Sequence, residues 1–151
     1  MQKHPINVFM EYFQAFEGVI AGSQPWSSLN DYFARDAIYQ VKGVPFACKI
    51  VSPDAIVSAM HRSVMGFDME MRSRLLEVMS IHRVKADELK VDLISAYGLG
   101  PNNVALAPVS MNVSLSADRI QSLTDDYDSE LVGPVLERIA ASVPEADPTY
   151  V

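Results

Sequence analysis

Four consecutive residues, Asp125-Asp126-Tyr127-Asp128, gather three carboxylates and a phenol into one short stretch. A carboxylate shielded from water has its pKa raised toward neutrality, and it can then take a proton from a bound molecule and return it. Asp125 and Asp128 are the leading candidates for such a base, with Tyr39 or Tyr127 as the hydrogen-bond donor beside it. The plainer reading is that these carboxylates are solvated strand-end residues or cap the helix that follows. His61, Glu77, His82, Asp92, Tyr97 and Asn112 complete the set of polar candidates.

Other chemistries find less support. No His, Cys or carboxylate set has the i, i+4 or close spacing of a metal site, so neither a metal nor another cofactor is expected. Cys48 is the only cysteine, which excludes an internal disulfide and favours a buried, inert thiol. His61, between Met60 and Arg62, reads as a helical residue that faces out or toward the helix C-terminus. Gly98-Leu99-Gly100-Pro101-Asn102 leads from a strand pattern into a turn, which is a hairpin loop and not a phosphate cradle.

The bulk composition narrows the partners. With 19 acidic against 12 basic residues the chain carries a formal charge of −7, which disfavours nucleic acid and anionic membranes. No apolar run approaches the ~18 residues of a membrane span, and Met1-Gln2-Lys3-His4-Pro5 lacks the apolar stretch of a secretory signal. A cytoplasmic location is therefore expected. The chain is 49% hydrophobic and 21% charged over 151 residues, enough for one packed domain spanning 1–151.

The elements that must position the candidates follow from periodicity. Val8, Phe9, Tyr12, Phe13, Phe16, Val19 and Ile20 make one apolar helical face, closed by Gly22. Ser23-Gln24-Pro25 opens a second helix with Ser23 as cap, burying Trp26, Leu29 and Phe33, before a short strand at Ala37–Val41. Ser52-Pro53-Asp54 starts a third helix along Ile56, Met60 and Val64, ended by Gly66. The period then changes to two. Residues 88–99 and 105–115 alternate as strands around a Pro101-Asn102-Asn103 turn, and Ser116-Ala117-Asp118 turns into a last strand at Ile120–Leu123. Pro108 predicts a bulge or an edge. Residues 69–84 fit a strand and a helix almost equally, while Gly133-Pro134 introduces a short closing helix. Pro144 and Pro148 mark a flexible tail at 143–151. Helices followed by hairpins make an α+β chain with an antiparallel sheet.

In this order the segments resemble the NTF2-like superfamily, and its SnoaL-like and ketosteroid-isomerase-like members. Trp26 to Ala37, with its Tyr32-Phe33 pair and Asp36-Ala37 step, resembles their passage from second helix to first strand. Ser52-Pro53-Asp54-Ala55-Ile56 resembles the start of their third helix, and Ser116 to Ile120 followed by Asp125 to Asp128 their final hairpin. The likeness spans roughly residues 7–130. It implies a cone of three N-terminal helices around a curved sheet, with a mostly apolar pocket for a small apolar, oxygenated molecule. Tyr12, Phe16, Trp26, Tyr97, Met111 and Tyr127 are the expected lining. It also implies isomerase, cyclase or hydrolase chemistry, or a non-catalytic binding or dimerising module. An apolar outer sheet face predicts a homodimer. The familiar catalytic sets do not carry over. The isomerase base falls at Val41 and its donor near Ala15, with Tyr12 a turn away; Asp125 matches the last-strand Asp of the limonene epoxide hydrolases, whose Arg-x-Asp is absent.

Overall fold

The computed structural model describes residues 2–45 and 47–148. Helix α1 (Pro5–Ile20) buries the apolar face that its spacing predicts, and it starts where the His4 ring accepts from the Ile6 N–H. Gly22, at φ +85°, supplies the left-handed residue that ends it. Ser23 does not cap a second helix. Its hydroxyl donates to the Gly18 carbonyl at 2.7 Å, tying off α1 instead. The next segment, Trp26–Tyr32, is a 3-10 helix that begins after Pro25 without a side-chain cap. Helix α2 (Pro53–Gly66) buries Ile56, Met60 and Val64. Ser52 begins it through its backbone, its carbonyl accepting from the Ile56 N–H at 3.0 Å, and its side chain makes no cap bond.

Six strands form one sheet: β1 (Phe33–Lys42), β2 (Cys48–Val51), β3 (Ser73–Lys85), β4 (Glu88–Gly100), β5 (Asn103–Ser116) and β6 (Arg119–Asp126). They lie in the order β2-β1-β6-β5-β4-β3. All neighbours are antiparallel except β1 and β6, so the sheet is mixed and not wholly antiparallel. The meander β3 to β6 leaves one edge of β6 open, and β1 joins that edge running the same way. Their register sets Tyr39 opposite Leu123 and Val41 opposite Asp125, which brings the C-terminal ends of both strands together.

The ambiguous stretch 69–84 becomes a 3-10 turn at Asp68–Glu70 and one long strand, β3, with register shifts after Val78 and Arg83. Leu75 and Met79 look helical in sequence because both are apolar and four apart; in fact they share the exposed outer face of a strand. Pro108 pairs with Ile94 without a bulge. The last partner of β6 on β5 is Ser110, so at Pro108 the strand has only β4 beside it and its missing N–H breaks no ladder. Helix α3 (Ser129–Ser142) begins ahead of Gly133-Pro134, and the Asp128 carboxylate caps it by accepting from the Glu130 N–H at 3.0 Å.

Two apolar clusters meet inside. The larger joins α1, α2 and the inner sheet face through Phe9, Leu29, Phe33, Ile56 and Leu123. The smaller packs Phe67, Met71, Tyr97 and Leu99 under Ile139 of α3 and the buried Ala146. The segment after α3 is thus tied in as far as residue 148: the Asp147 N–H donates to the Gly66 carbonyl at 3.0 Å. The rest of the tail expected to be flexible, 149–151, lies outside the described residues. Among the described residues no helix is long and apolar enough to cross a membrane.

Candidate active site

A cavity of about 130 Å³ opens where the two clusters meet. Its wall takes Tyr12 and Phe16 from α1, Met60 from α2 and Tyr39 from β1. The sheet adds Tyr97, Met111 and Asp125, and Tyr127 follows β6 into the same space. Two expected site residues lie elsewhere. Asp128 is exposed and spent on capping α3, as the plainer reading of the acidic stretch has it. Trp26 stacks on the His61 ring at 4.6 Å instead of lining the cavity.

Asp125 is the residue that the fold isolates. Tyr39 Oη donates to its Oδ2 at 3.0 Å, as the parallel register of β1 and β6 allows. Its Oδ1 is out of reach of solvent and accepts no hydrogen bond within the described structure, although the residue as a whole is only half-buried. Burial pushes the Asp125 carboxyl up to about 6, and the Tyr39 bond pulls it back only in part. The surrounding phenols move the other way in function. Burial first, and the Asp125 charge second, hold Tyr12, Tyr39 and Tyr127 above the usual phenol range. They remain donors at neutral pH, and Tyr12 Oη spends its proton on Met60 Sδ at 3.6 Å. Of these four groups Asp125 alone titrates near neutrality.

Because the Tyr39 bond favours the carboxylate, Tyr39→Phe is expected to raise the Asp125 pKa further and to move the acid limb of any Asp125-dependent activity to higher pH. Carboxyl ¹³C NMR on the variant checks this; an unchanged midpoint would mean that Tyr39 does not tune Asp125.

A second polar group lines the cavity and had no clear sequence signal. Arg74 Nε donates to Asp68 Oδ2 at 2.6 Å, and its Nη1 donates to both oxygens of Glu17 at 3.2 and 3.3 Å. Tyr97 Oη donates to Asp68 Oδ1 at 3.3 Å. Burial raises the Asp68 pKa even with Arg74 beside it, so desolvation outweighs the ion pair at the carboxylate. For Arg74 the balance reverses: burial lowers its pKa, but the charges of Asp68 and Glu17 more than restore it. The available clue was parity, since Arg74 shares the inward face of β3 with Leu76 and Val78.

The remaining candidates are structural. Asp92 lies on the outer sheet face, where Ser80 and Ser110 hydroxyls donate to it at 3.0 and 3.1 Å. Glu77, His82 and Asn112 are exposed on the strands, and Cys48 is a half-buried thiol that burial pushes up. Residues 98–102 carry β4 into β5. Among the described residues no group of three or more His, Cys, Asp or Glu could hold a metal ion.

No protein-family model and no curated protein matches this sequence. Solved structures do match. An NTF2-like protein from Burkholderia thailandensis aligns with TM-score 0.68 at 15% identity, over 89% of this chain and 98% of that one. The fold is NTF2-like. A Shewanella putrefaciens protein described as a SnoaL-like polyketide cyclase aligns with TM-score 0.67 at 12% identity, over 90% of this chain and 87% of that one. A Catenulispora acidiphila protein with a ketosteroid isomerase-like fold, solved in complex with trimethylamine, aligns with TM-score 0.57 at 14% identity, over 79% and 82%. Likeness at this level carries the NTF2-like architecture and leaves the chemistry to the chain's own residues. Val41 and Asp125 face each other across the β1–β6 ladder.

Proposed function

We propose that this protein binds a small, mostly apolar, oxygenated molecule in the cavity and moves a proton on it, with Asp125 as general base and Tyr39 holding the carboxylate. The observation that carries this reading is the Asp125 Oδ1 atom, solvent-inaccessible and without a hydrogen-bond partner in a residue that lines the cavity. A buried acceptor left unmet costs about 1–3 kcal/mol. That cost falls on a residue of the cavity wall.

The size of the cavity limits that occupant. An engineered cavity of about 150 Å³ holds benzene, so a single ring with few substituents fits here. A larger ligand requires movement of the cavity wall, for instance of Asp147-Pro148, which line it. The reaction class is enolisation or a related isomerase-, cyclase- or hydrolase-type step. Cyclohexanone in D₂O is a suitable probe, its α-proton exchange followed by NMR. Wild-type protein is expected to accelerate exchange, and Asp125→Asn to lose at least about 100-fold of that acceleration, the usual scale of a general base. Binding of cyclohexanone without exchange would identify a non-catalytic binding module.

A homodimer through the outer sheet face is part of the proposal. Leu75, Met79, Val104 and Leu106 are each more than half exposed there, and Leu75, Ala96 and Leu106 form one cross-strand row. A charge in that row is expected to separate the copies. Leu106→Lys should halve the mass in light scattering at micromolar concentration while leaving the circular dichroism unchanged; a wild-type monomer would remove the dimer.

A further inference from the structure

The polar groups of the cavity are one-sided. Three carboxyl side chains line it, Asp68, Asp125 and Asp147, against one guanidinium, Arg74. That guanidinium is already engaged by Asp68 within the wall and by Glu17 behind it. The phenol protons nearest Asp125 are committed as well: Tyr39 gives its own to Asp125 Oδ2 and Tyr12 to Met60 Sδ. What the wall offers a ligand is the Asp125 carboxylate; its Oδ1 is closed to solvent and has no hydrogen-bond partner among the described residues. Around it stand the rings of Tyr12, Tyr39 and Tyr127, with Phe16 and Tyr97 further along the wall.

Such a wall repels an anion. It suits a donor that carries positive charge. Aromatic faces attract a cation through their quadrupoles, more strongly when water is excluded, and a carboxylate within the same enclosure adds direct charge attraction. We infer that the ligand of this cavity is a small organic ammonium with a compact apolar body, its N–H group toward the Asp125 carboxylate and its carbons against the tyrosine rings. This rests on the reading of the cavity as a ligand site with Asp125 facing the ligand, and it adds the charge that the ligand must carry.

The protonation of Asp125 makes the preference depend on pH. The groups coupled to it are Tyr12 from α1, Tyr39 from β1 and Tyr127 beyond β6, all held protonated, and the Cys48 thiol of β2, which burial pushes up; Asp68 with Arg74 stand beside Tyr97. None supplies a competing positive charge to Asp125 Oδ1. A cation should therefore bind best where Asp125 is ionised, and lose affinity as pH falls from 7.5 to 5.

Three probes of one shape separate charge from fit: tert-butylammonium, tert-butanol and pivalate, titrated by NMR and calorimetry. At pH 7.5 tert-butylammonium is expected to bind about tenfold tighter than tert-butanol, with pivalate the weakest, a preference of about 1.4 kcal/mol. Asp125→Asn, and wild-type protein at pH 5, should abolish the difference between the first two. Equal or tighter binding of tert-butanol or pivalate at pH 7.5 overturns the inference, while cyclohexanone exchange can still support Asp125 as a base. Failure of all three to shift resonances of the cavity residues overturns the inference as well; if cyclohexanone also fails to bind, the ligand site itself falls with it.

Discussion

Asp125→Asn is expected to stabilise the protein by about 1–3 kcal/mol at pH 8 while removing the proposed proton transfer. Burial lifts the Asp125 carboxyl from 3.8 to about 6 in the folded state. A carboxyl with a raised folded pKa favours folding while it holds its proton. That contribution is complete below pH 3.8 and is lost as pH rises through about 6. At about 1.4 kcal/mol per unit, ionising Asp125 in the folded protein takes away roughly 3 kcal/mol by pH 8. Asparagine has nearly the same shape, cannot ionise, and keeps an oxygen to accept from Tyr39. Its amide N–H₂ then faces the apolar wall, which offsets part of the gain. Urea unfolding from pH 4 to 8 should show wild-type stability falling across this range relative to the variant. A variant that is less stable at pH 8 would show that the carboxylate is well solvated or paired, and the site would lose its base.

Arg74→Met is expected to act in the opposite direction, destabilising by about 3–5 kcal/mol near neutral pH. The guanidinium bridges Asp68 at 2.6 Å and Glu17 at 3.2 Å with only 10% of its side chain exposed, and Asp68 is nearly as enclosed at 14%. Methionine fills much of the same volume but leaves the Asp68 carboxylate without its counter-charge, and only the Tyr97 hydroxyl remains on it. Burial already raises the Asp68 pKa, and removal of Arg74 raises it further. A raised folded pKa places the loss at high pH, so the defect should shrink as the solution is acidified and Asp68 takes up its proton. Asp68→Asn in the same chain should restore most of the stability. If the single variant costs less than about 1 kcal/mol, as exposed ion pairs do, the network is not the enclosed one described.

The sequence exposed the α+β order through two features: the three-and-four spacing from Val8 to Ile20, and the alternation from Leu89 to Leu115. Both periods are set by one buried face, and a single face suffices to read them. What it hid depends on a second face or on distant partners. Leu75 and Met79 are apolar on the outer face of β3, which erased the alternation there and made 69–84 ambiguous. The 3-10 geometry of Trp26–Tyr32 and the backbone start of α2 at Ser52 hide behind cap-like sequences whose side chains bond elsewhere or not at all.

The site divides in the same way. Asp125 and Tyr39 could be chosen from residue type, but their pairing depends on the parallel contact of β1 with β6, which no local pattern encodes. Asp128 has the same chemistry three residues on, yet it falls past the end of β6, where the Glu130 N–H at the start of α3 claims its carboxylate. The Asp68–Arg74–Glu17 group joins Asp68 and Arg74, six residues apart, to Glu17, 57 residues from Arg74, and each of its members reads alone as an ordinary surface charge.

The most direct test of the account is a pH titration of the Asp125 carboxyl by site-specific ¹³C NMR in the protein without added ligand. The account predicts a midpoint about two units above that of an exposed aspartate, near 6, which falls when tert-butylammonium is added. A midpoint near 4, unmoved by the probe, would place Asp125 in contact with water and contradict the assignment of the cavity as a site of proton transfer.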